Sequence, residues 1–532
     1  MVCMRNRRST NHSSQNNTND TPQAEAKNSD ALKGSLKESL DHIQASLGHS
    51  TDIVIREISI GAEKECQIAI LYTDGLADPK MISDNIMMVI ADVTGSPIGE
   101  NPEQSRSFDS HALWEQIAAF NQEIQTIHDY PELFHSLLSG DTILLMDGLD
   151  QGMAAGTRGW KDRGVTETSA ENVVRGPREA FSESLRTNTA LIRRKIKDPN
   201  LWMETKQIGR ITQTDVAIMY INGIVNDKIV EEVRARLQRI DVDSILESGY
   251  IEEFIQDKTL TPFPTVYNTE RPDVVAAELL EGKIAIIVDG TPFVLIVPAL
   301  FVSFLHAAED YYQRADISSF LRILRYLSIS ISLLGPSLYI AVTTFHQEML
   351  PTQLLFGLAG QREQIPFPAF VEAVFMEVTF EILREAGVRL PKNIGSAISI
   401  VGTLVIGQAA VEAGIISPAM VIVVSITAIS SFVVPSFNMS IAFRMLRFPL
   451  MALAASFGLY GIFVGIIALM LHLCSLRSFG VPYLSPFAPL IPEGQKDTIL
   501  RLPHWLLTKR PRLVNQNDMT RKISSPPRKS RE

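Results

Sequence analysis

Glu377, Glu381, Arg384 and Glu385 sit close together in the segment Pro366 to Gly387. At 100° per residue they fall on one face of a helix, and Val371, Phe375, Val378 and Ile382 fall on the opposite one. Long apolar segments flank this stretch, so its carboxylates lie near membrane depth, where a charge needs a partner or water. In a symmetric oligomer, one such helix per subunit would ring an aqueous path with carboxylates, the chemistry of a cation-selective pore. The alternative is a helix lying flat at the interface, its Glu residues in water and Arg384 paired locally. Gln408 and Glu412, one turn apart, could line the same path or make one interhelical hydrogen bond worth about 1 kcal/mol.

The elements that must position these groups are apolar spans. Leu327 to Phe345, Ile394 to Ala413, Ile415 to Pro435 and Pro449 to Cys474 each come near the roughly 20 residues that cross a bilayer. Arg322 and Arg325 precede the first, and a basic tail follows the last, so the positive-inside rule puts both flanks in the cytoplasm. Four crossings satisfy that rule. Arg444 and Arg447, in a short loop expected to face outward, oppose it.

The preceding residues read as water-soluble. Within 532 residues of net charge −10, a length suited to two or three domains, the first fifty are rich in Asn, Ser, Thr and Gln and are expected to be a disordered tail. No apolar signal segment opens the chain. An internal repeat follows. Gly61 and Ala69-Ile-Leu-Tyr-Thr-Asp-Gly recur 148 residues later as Gly209 and Ala217-Ile-Met-Tyr-Ile-Asn-Gly. Each copy reads as two strands, Ile53 to Ile60 with Gln67 to Thr73 and Leu201 to Ile208 with Asp215 to Ile221, then a helix capped by Asp78 or Asn226. Each copy ends on an Asp-Gly turn between apolar strands, Asp147-Gly148 and Asp289-Gly290. Helices expected over Leu113 to Thr126 and Arg178 to Lys195 complete a two-lobed α/β soluble domain, followed by an α-helical transmembrane domain.

The expected boundaries are a disordered tail 1–50, a first lobe 51–140, a second lobe 141–297, a linker 298–321, a transmembrane domain 322–476 and a basic cytoplasmic tail 477–532. Pro298 to Tyr312 is expected to be an interfacial helix, with Glu309, Asp310, Arg322 and Arg325 as coupling candidates between lobes and spans. The basic tail suits anionic lipid heads and is no footprint for nucleic acid.

Enzyme motifs are missing, and Cys3, Cys66 and Cys474 are too scattered for a disulfide framework or a metal cluster, so no cofactor is expected. The loop carrying Arg158, Lys161, Arg163, Arg175 and Arg178 could hold an anion at a helix start, or pair with Glu167, Glu171, Glu179 or Glu183.

Val174-Arg-Gly-Pro-Arg-Glu-Ala-Phe-Ser-Glu-Ser-Leu-Arg-Thr-Asn, the Pro366 to Glu385 helix, Arg389-Leu-Pro, Ile400-Val-Gly-Thr-Leu-Val-Ile-Gly-Gln-Ala-Ala-Val and Pro435-Ser-Phe resemble the A subunits of GerA-type spore germinant receptors. The resemblance runs from about residue 140 to 490. The Asn-rich leader and basic extension look most like GerK-type members, which would imply a sugar-containing nutrient mixture. The resemblance implies a spore inner-membrane location, a transporter-like B subunit that binds nutrient, a lipoprotein C subunit, and self-oligomerisation into a cation channel. It supplies no catalytic residues. A non-conducting signalling scaffold is the alternative, and a secondary transporter is disfavoured because the repeat lies in the soluble half.

Overall fold

The computed structural model describes residues 31–60, 66–87, 114, 124–159, 171, 173–389, 407–514 and 520–521. It divides into two compact units. One holds Met1–Ser46, Asp52–Trp160 and Lys197–Pro199; the other holds Leu47–Thr51, Lys161–Ile196 and Asn200–Glu532.

The first unit is built on a five-stranded antiparallel sheet. Helix α1 (Leu36–Ser46) precedes β1 (Ile53–Ile60) and β2 (Cys66–Thr73), and α2 (Pro79–Ile82) follows. Then come β3 (Ile124–Ile127), α3 (Tyr130–Leu137), β4 (Thr142–Met146) and β5 (Gly152–Ala155), in the spatial order β1-β2-β4-β5-β3. Asp78 caps α2 through the Lys80 amide at 2.8 Å.

The second unit repeats the plan with α4 (Leu185–Lys195), β6 (Leu201–Ile208), β7 (Thr214–Ile221), α5 (Asp227–Gln238) and α6 (Ser248–Ile255). It continues through β8 (Tyr267–Thr269), α7 (Pro272–Leu280), β9 (Ile284–Val288) and β10 (Val294–Val297), ordered β6-β7-β9-β10-β8. Asn226 caps α5. The two Asp-Gly turns do more than reverse the chain. Asp147 accepts from the Leu36 amide at 3.0 Å and Asp289 from the Leu185 amide at 2.9 Å, so each turn caps the helix that opens its own lobe.

Two expectations in the lobes are corrected. Residues 31–50 belong to the fold, because Leu36, Leu40 and Ile43 recur at helical spacing and are buried. Their polar neighbours masked this stripe in a composition count. The helix expected over Leu113 to Thr126 ends in strand instead, since Ile124–Ile127 pairs with Gly152–Ala155; most of its other residues lie outside the described ones.

Beyond β10, the expected interfacial helix Pro298 to Tyr312 is a 3₁₀ turn, Phe301–Leu305, and a single helical turn, α8 (Glu309–Tyr312). Backbone bonds break it up: Ala299 donates to Ser478 Oγ and Phe301 donates to the Tyr483 carbonyl. Phe304 and Leu305 enter the lobe core, where the expectation had placed an interfacial element.

The helical region contains α9 (Ala315–Thr344), α10 (Thr352–Arg362), α11 (Ala369–Arg389), residues 407–412, α12 (Pro418–Ser431) and α13 (Phe437–Ser475). Among the described helices, α9 and α13 are long and apolar enough to cross a bilayer. The expected span Ile394 to Ala413 lies mostly outside the described residues. The expected span Pro449 to Cys474 is corrected, because α13 reverses at Gly458, whose φ of 61° and ψ of −140° are non-helical. Phe443 and His472, fifteen and fourteen residues to either side of it, both pack on Phe263, with ring centroids 6.3 and 6.2 Å away. The two halves therefore run antiparallel. Gly461 and Gly465 allow their close approach, as a Cβ there would strike Leu453 and Leu450. Gly407 lies against Val421, so residues 407–412 and α12 form a second hairpin about Gly414.

The C-terminal region is folded where a tail was expected. Strands β11 (Arg477–Ser478) and β12 (Val481–Pro482) pair, and Phe479, Val481 and Val514 join the core of the second lobe.

Candidate functional site

Charged residues gather at two levels of the helical region. In the bundle, α11 is amphipathic with its apolar face outward: Val371, Phe375, Val378 and Ile382 are exposed, while Glu377 is buried. Glu377 pairs with Arg447 of α13, whose side chain is 2% exposed. Arg447 also donates to the Ser332 carbonyl at 2.7 Å and to Ser332 Oγ at 3.1 Å on α9. One turn on, Glu381 accepts from Arg444 at 2.6 Å. Arg384 donates to Ser431 Oγ at 2.7 Å, and its guanidinium lies over the rings of Phe432 and Phe380. Two ion pairs thus join α11 to α13, and arginine hydrogen bonds tie α9 and α12 to them. Burying two charges together is tolerable in low dielectric because each offsets the desolvation of the other.

The four residues that share a face in sequence therefore separate in space. Glu377, Glu381 and Arg384 point into their own bundle, and Glu385 stays exposed beside Arg389 at 2.7 Å. Gln408 and Glu412 are both exposed and bonded to each other, Nε2 to Oε1 at 2.9 Å, within one helix. Sequence reasoning overlooked Arg444 and Arg447 as partners. The available signal was their three-residue spacing in an apolar run, matching the four-residue spacing of Glu377 and Glu381 on one helix face. The hairpin explains why they were misplaced: their end of α13 is the end beside Phe263 of the second lobe, away from the Gly458 turn, which meets Phe345 and His346.

The second level is the junction between lobe and bundle. Asp310 accepts from Arg322 Nε at 3.0 Å and from both terminal nitrogens of Arg325, at 2.9 and 3.2 Å. Arg322 also reaches the Asp497 carboxylate and carbonyl, each at 2.8 Å, and Tyr311 donates to Asp497 at 2.8 Å. Burial raises the Asp310 carboxyl, but the two guanidiniums outweigh it and hold it below its ordinary value. Next to them His306 is pushed down to about 4, first by burial and then by Arg322. Glu309 faces elsewhere and accepts from the Val174 amide. A cavity of about 310 Å³ adjoins this junction, lined among others by Tyr267, Asp273, Glu281, Tyr311 and Tyr312. Burial lifts the Glu281 carboxyl to about 7.

The expected basic cluster does not appear as one group. Arg158 is held bidentate by Asp141 at 2.7 Å within the first unit, whereas Arg175 and Arg178 belong to the second and are exposed. Lys161 and Arg163 lie outside the described residues. The Arg175-Gly-Pro-Arg stretch is instead pinned at its backbone. Arg271 donates to the Pro177 carbonyl at 3.1 Å, and Gly176, at a φ of 144°, lies so close to the Tyr312 ring that a Cβ would clash. This gives the motif a packing role against α8. Among the described residues, no group of His, Cys, Asp and Glu has the arrangement of a metal site.

A family model described as Bacillus/Clostridium GerA spore germination protein matches residues 41–513. Spore germination protein KA of Bacillus subtilis (strain 168) is 50% identical over 490 residues, which cover 92% of this chain and 88% of the relative. Spore germination protein GerLA of Bacillus cereus is 39% identical over 490 residues, with 92% and 97% covered. The crystal structure of the N-terminal domain of the A subunit of the Bacillus megaterium spore germinant receptor GerK3 is 44% identical; the match covers 51% of this chain and 97% of that one, with a TM-score of 0.39. From a match that spans both lobes, the bundle and the folded C-terminal region, the chain belongs to the GerA family of spore germination proteins.

Proposed function

We propose that this protein is the A subunit of a nutrient receptor that triggers spore germination, and that copies of it assemble into a nutrient-gated cation channel. The observation that carries the reading is the division of its membrane carboxylates. Glu377 and Glu381 are consumed by Arg447 and Arg444 and Glu385 is paired with Arg389, which leaves Glu412 exposed on a helix of the bundle with the neutral Gln408 beside it. An exposed carboxylate there requires water or another subunit. A ring of Glu412 side chains around an aqueous path meets both needs, so the permeation path moves from α11 to residues 407–412.

In this reading α9, α11, the apolar sequence span Ile394 to Ala413, α12 and the two halves of α13 make six crossings. Six returns the chain to the side of the lobes and brings Arg322, Arg325, Arg444 and Arg447 to that same side, where the positive-inside rule favours the cytoplasm. The protein then lies in the spore inner membrane as a multi-pass subunit with both termini cytoplasmic. Its partners are a transporter-like B subunit and a lipoprotein C subunit.

The test is cation conductance of the three-subunit complex in lipid vesicles, comparing wild type with Glu412→Gln and Glu377→Gln. Altered selectivity or rate in Glu412→Gln with normal assembly supports the channel. A nutrient response that is intact in Glu412→Gln, with no current in any form, would favour the non-conducting scaffold.

A further inference from the structure

The folded C-terminal region carries a surface that the channel reading does not use. Residues 499–507 read Ile-Leu-Arg-Leu-Pro-His-Trp-Leu-Leu, and between Leu490 and Arg512 there are five Lys or Arg against Glu493 and Asp497. Although this region is packed on the lobe through Val514, Leu490 is 72% exposed, Ile499 43% and Leu500 47%. Trp505 is half-buried, and Lys496 and Arg512 are exposed nearby. Apolar side chains turned outward beside exposed cations are an odd surface for water and a natural one for a lipid headgroup boundary.

Position decides between the two. The Arg501 amide donates to Ser319 Oγ at 3.1 Å, and Ser319 donates to the Arg501 carbonyl at 3.0 Å. Ser319 lies in the first turns of α9, where the outward strip of Ile317, Phe320, Ile323 and Leu327 begins. Ile499 and Leu500 therefore extend sideways from the base of a lipid-facing helix. Trp505, half-buried, supplies an amphipathic aromatic typical of this depth.

We propose that residues 490–512 form a membrane-interface foot, in which Leu490, Ile499, Leu500 and Trp505 enter the acyl boundary while Lys496 and Arg512 engage anionic headgroups. The inference rests on the membrane reading above. Because Asp497 and Arg501 hold the foot to Arg322, Tyr311 and Ser319, the surface charge of the bilayer acts directly on the junction between lobe and bundle.

The experiment uses the full chain in vesicles, with Cys3, Cys66 and Cys474 replaced by Ser and a fluorophore placed on Leu500→Cys or, as a control, on Leu327→Cys. Quenchers are phosphatidylcholine bearing an acyl-chain nitroxide and aqueous iodide. Both positions are expected to be quenched by the lipid nitroxide. Quenching at Leu500→Cys should grow by about twofold when phosphatidylglycerol is added, and Lys496→Glu with Arg512→Glu should abolish that growth. Quenching of the control with iodide access at Leu500→Cys overturns the foot in favour of a solvated surface. A quenched control with Leu500→Cys shielded from both reagents overturns it in favour of a protein partner. If the control itself escapes the lipid nitroxide, the membrane reading has failed and the foot falls with it.

Discussion

In the bundle two arginines each meet one carboxylate, Arg447 with Glu377 and Arg444 with Glu381, across helices of a single packed unit. At the junction Asp310 takes two guanidiniums, and Arg322 divides itself between Asp310 and Asp497, which come from segments far apart in the chain. The first arrangement has one solution for each charge. The second has shared partners, so one ion pair can loosen while another holds. Fixed pairs suit a wall and shared pairs suit a joint, so the proposed coupling between lobe and bundle is expected to run through the junction.

The largest expected effect is in the wall. Glu377→Gln leaves Arg447 buried without a countercharge and should destabilise the bundle by about 3–5 kcal/mol. Thermal melting in detergent and yield of assembled complex measure it, and the double change Glu377→Met with Arg447→Met should recover most of the loss. A well-folded Glu377→Gln protein with altered ion selectivity would return the pore to α11 and erase the contrast.

Asp310→Asn should weaken the joint by about 2–4 kcal/mol, less than the wall because Asp497 still serves Arg322. Its signature is a nutrient response lost at normal assembly, read as cation release from spores beside immunoblots of the complex. Equal losses of assembly in Asp310→Asn and Glu377→Gln would show that both clusters are merely structural.

Protonation gives a finer probe. His306 is neutral in the fold, with its value lowered from 6.5 to about 4. Between those values the detached state takes up a proton that the packed state refuses. Attachment of the C-terminal region is therefore complete above pH 6.5 and weakens as pH falls toward 4. The groups facing His306 are Arg322, Asp310, Asp497 and the Thr498 carbonyl. Hydrogen exchange at Thr498 to Leu502 should rise over that window in wild type and stay flatter in His306→Gln.

The smallest change in stability is expected at Glu412. Glu412→Gln removes one exposed charge beside Gln408 and should shift stability by no more than about 0.5 kcal/mol, while cation flux through the complex changes. A large loss of stability would mean that Glu412 is packed against a neighbouring subunit rather than facing water.

The repeat was legible because strand alternation and Asp-Gly turns are local signals, and both sheets form with the expected strands at Ile53–Ile60 and Leu201–Ile208. The opening helix of the first lobe was not, since Leu36, Leu40 and Ile43 are scattered among Lys, Glu and Asp, and the contacts that tie it to the sheet, such as the Asp147 cap, come from residues far along the chain. Gly458 was equally opaque. A single glycine in a long apolar run reads as a tolerated residue, and only packing of Phe443 and His472 on the same ring reveals a reversal.

What the amino-acid order alone determined is the set of charges placed among long apolar segments, the repeat, and the family to which they belong, because residue type and periodicity are properties of neighbouring positions. What only the tertiary structure decided is which charges are spent. Glu377 and Arg447 are seventy residues apart, and their pairing depends on a hairpin that returns α13 beside the lobe. Coulombic and desolvation energies depend on distance and burial in space, so no reading along the chain could tell a pore carboxylate from one already neutralised.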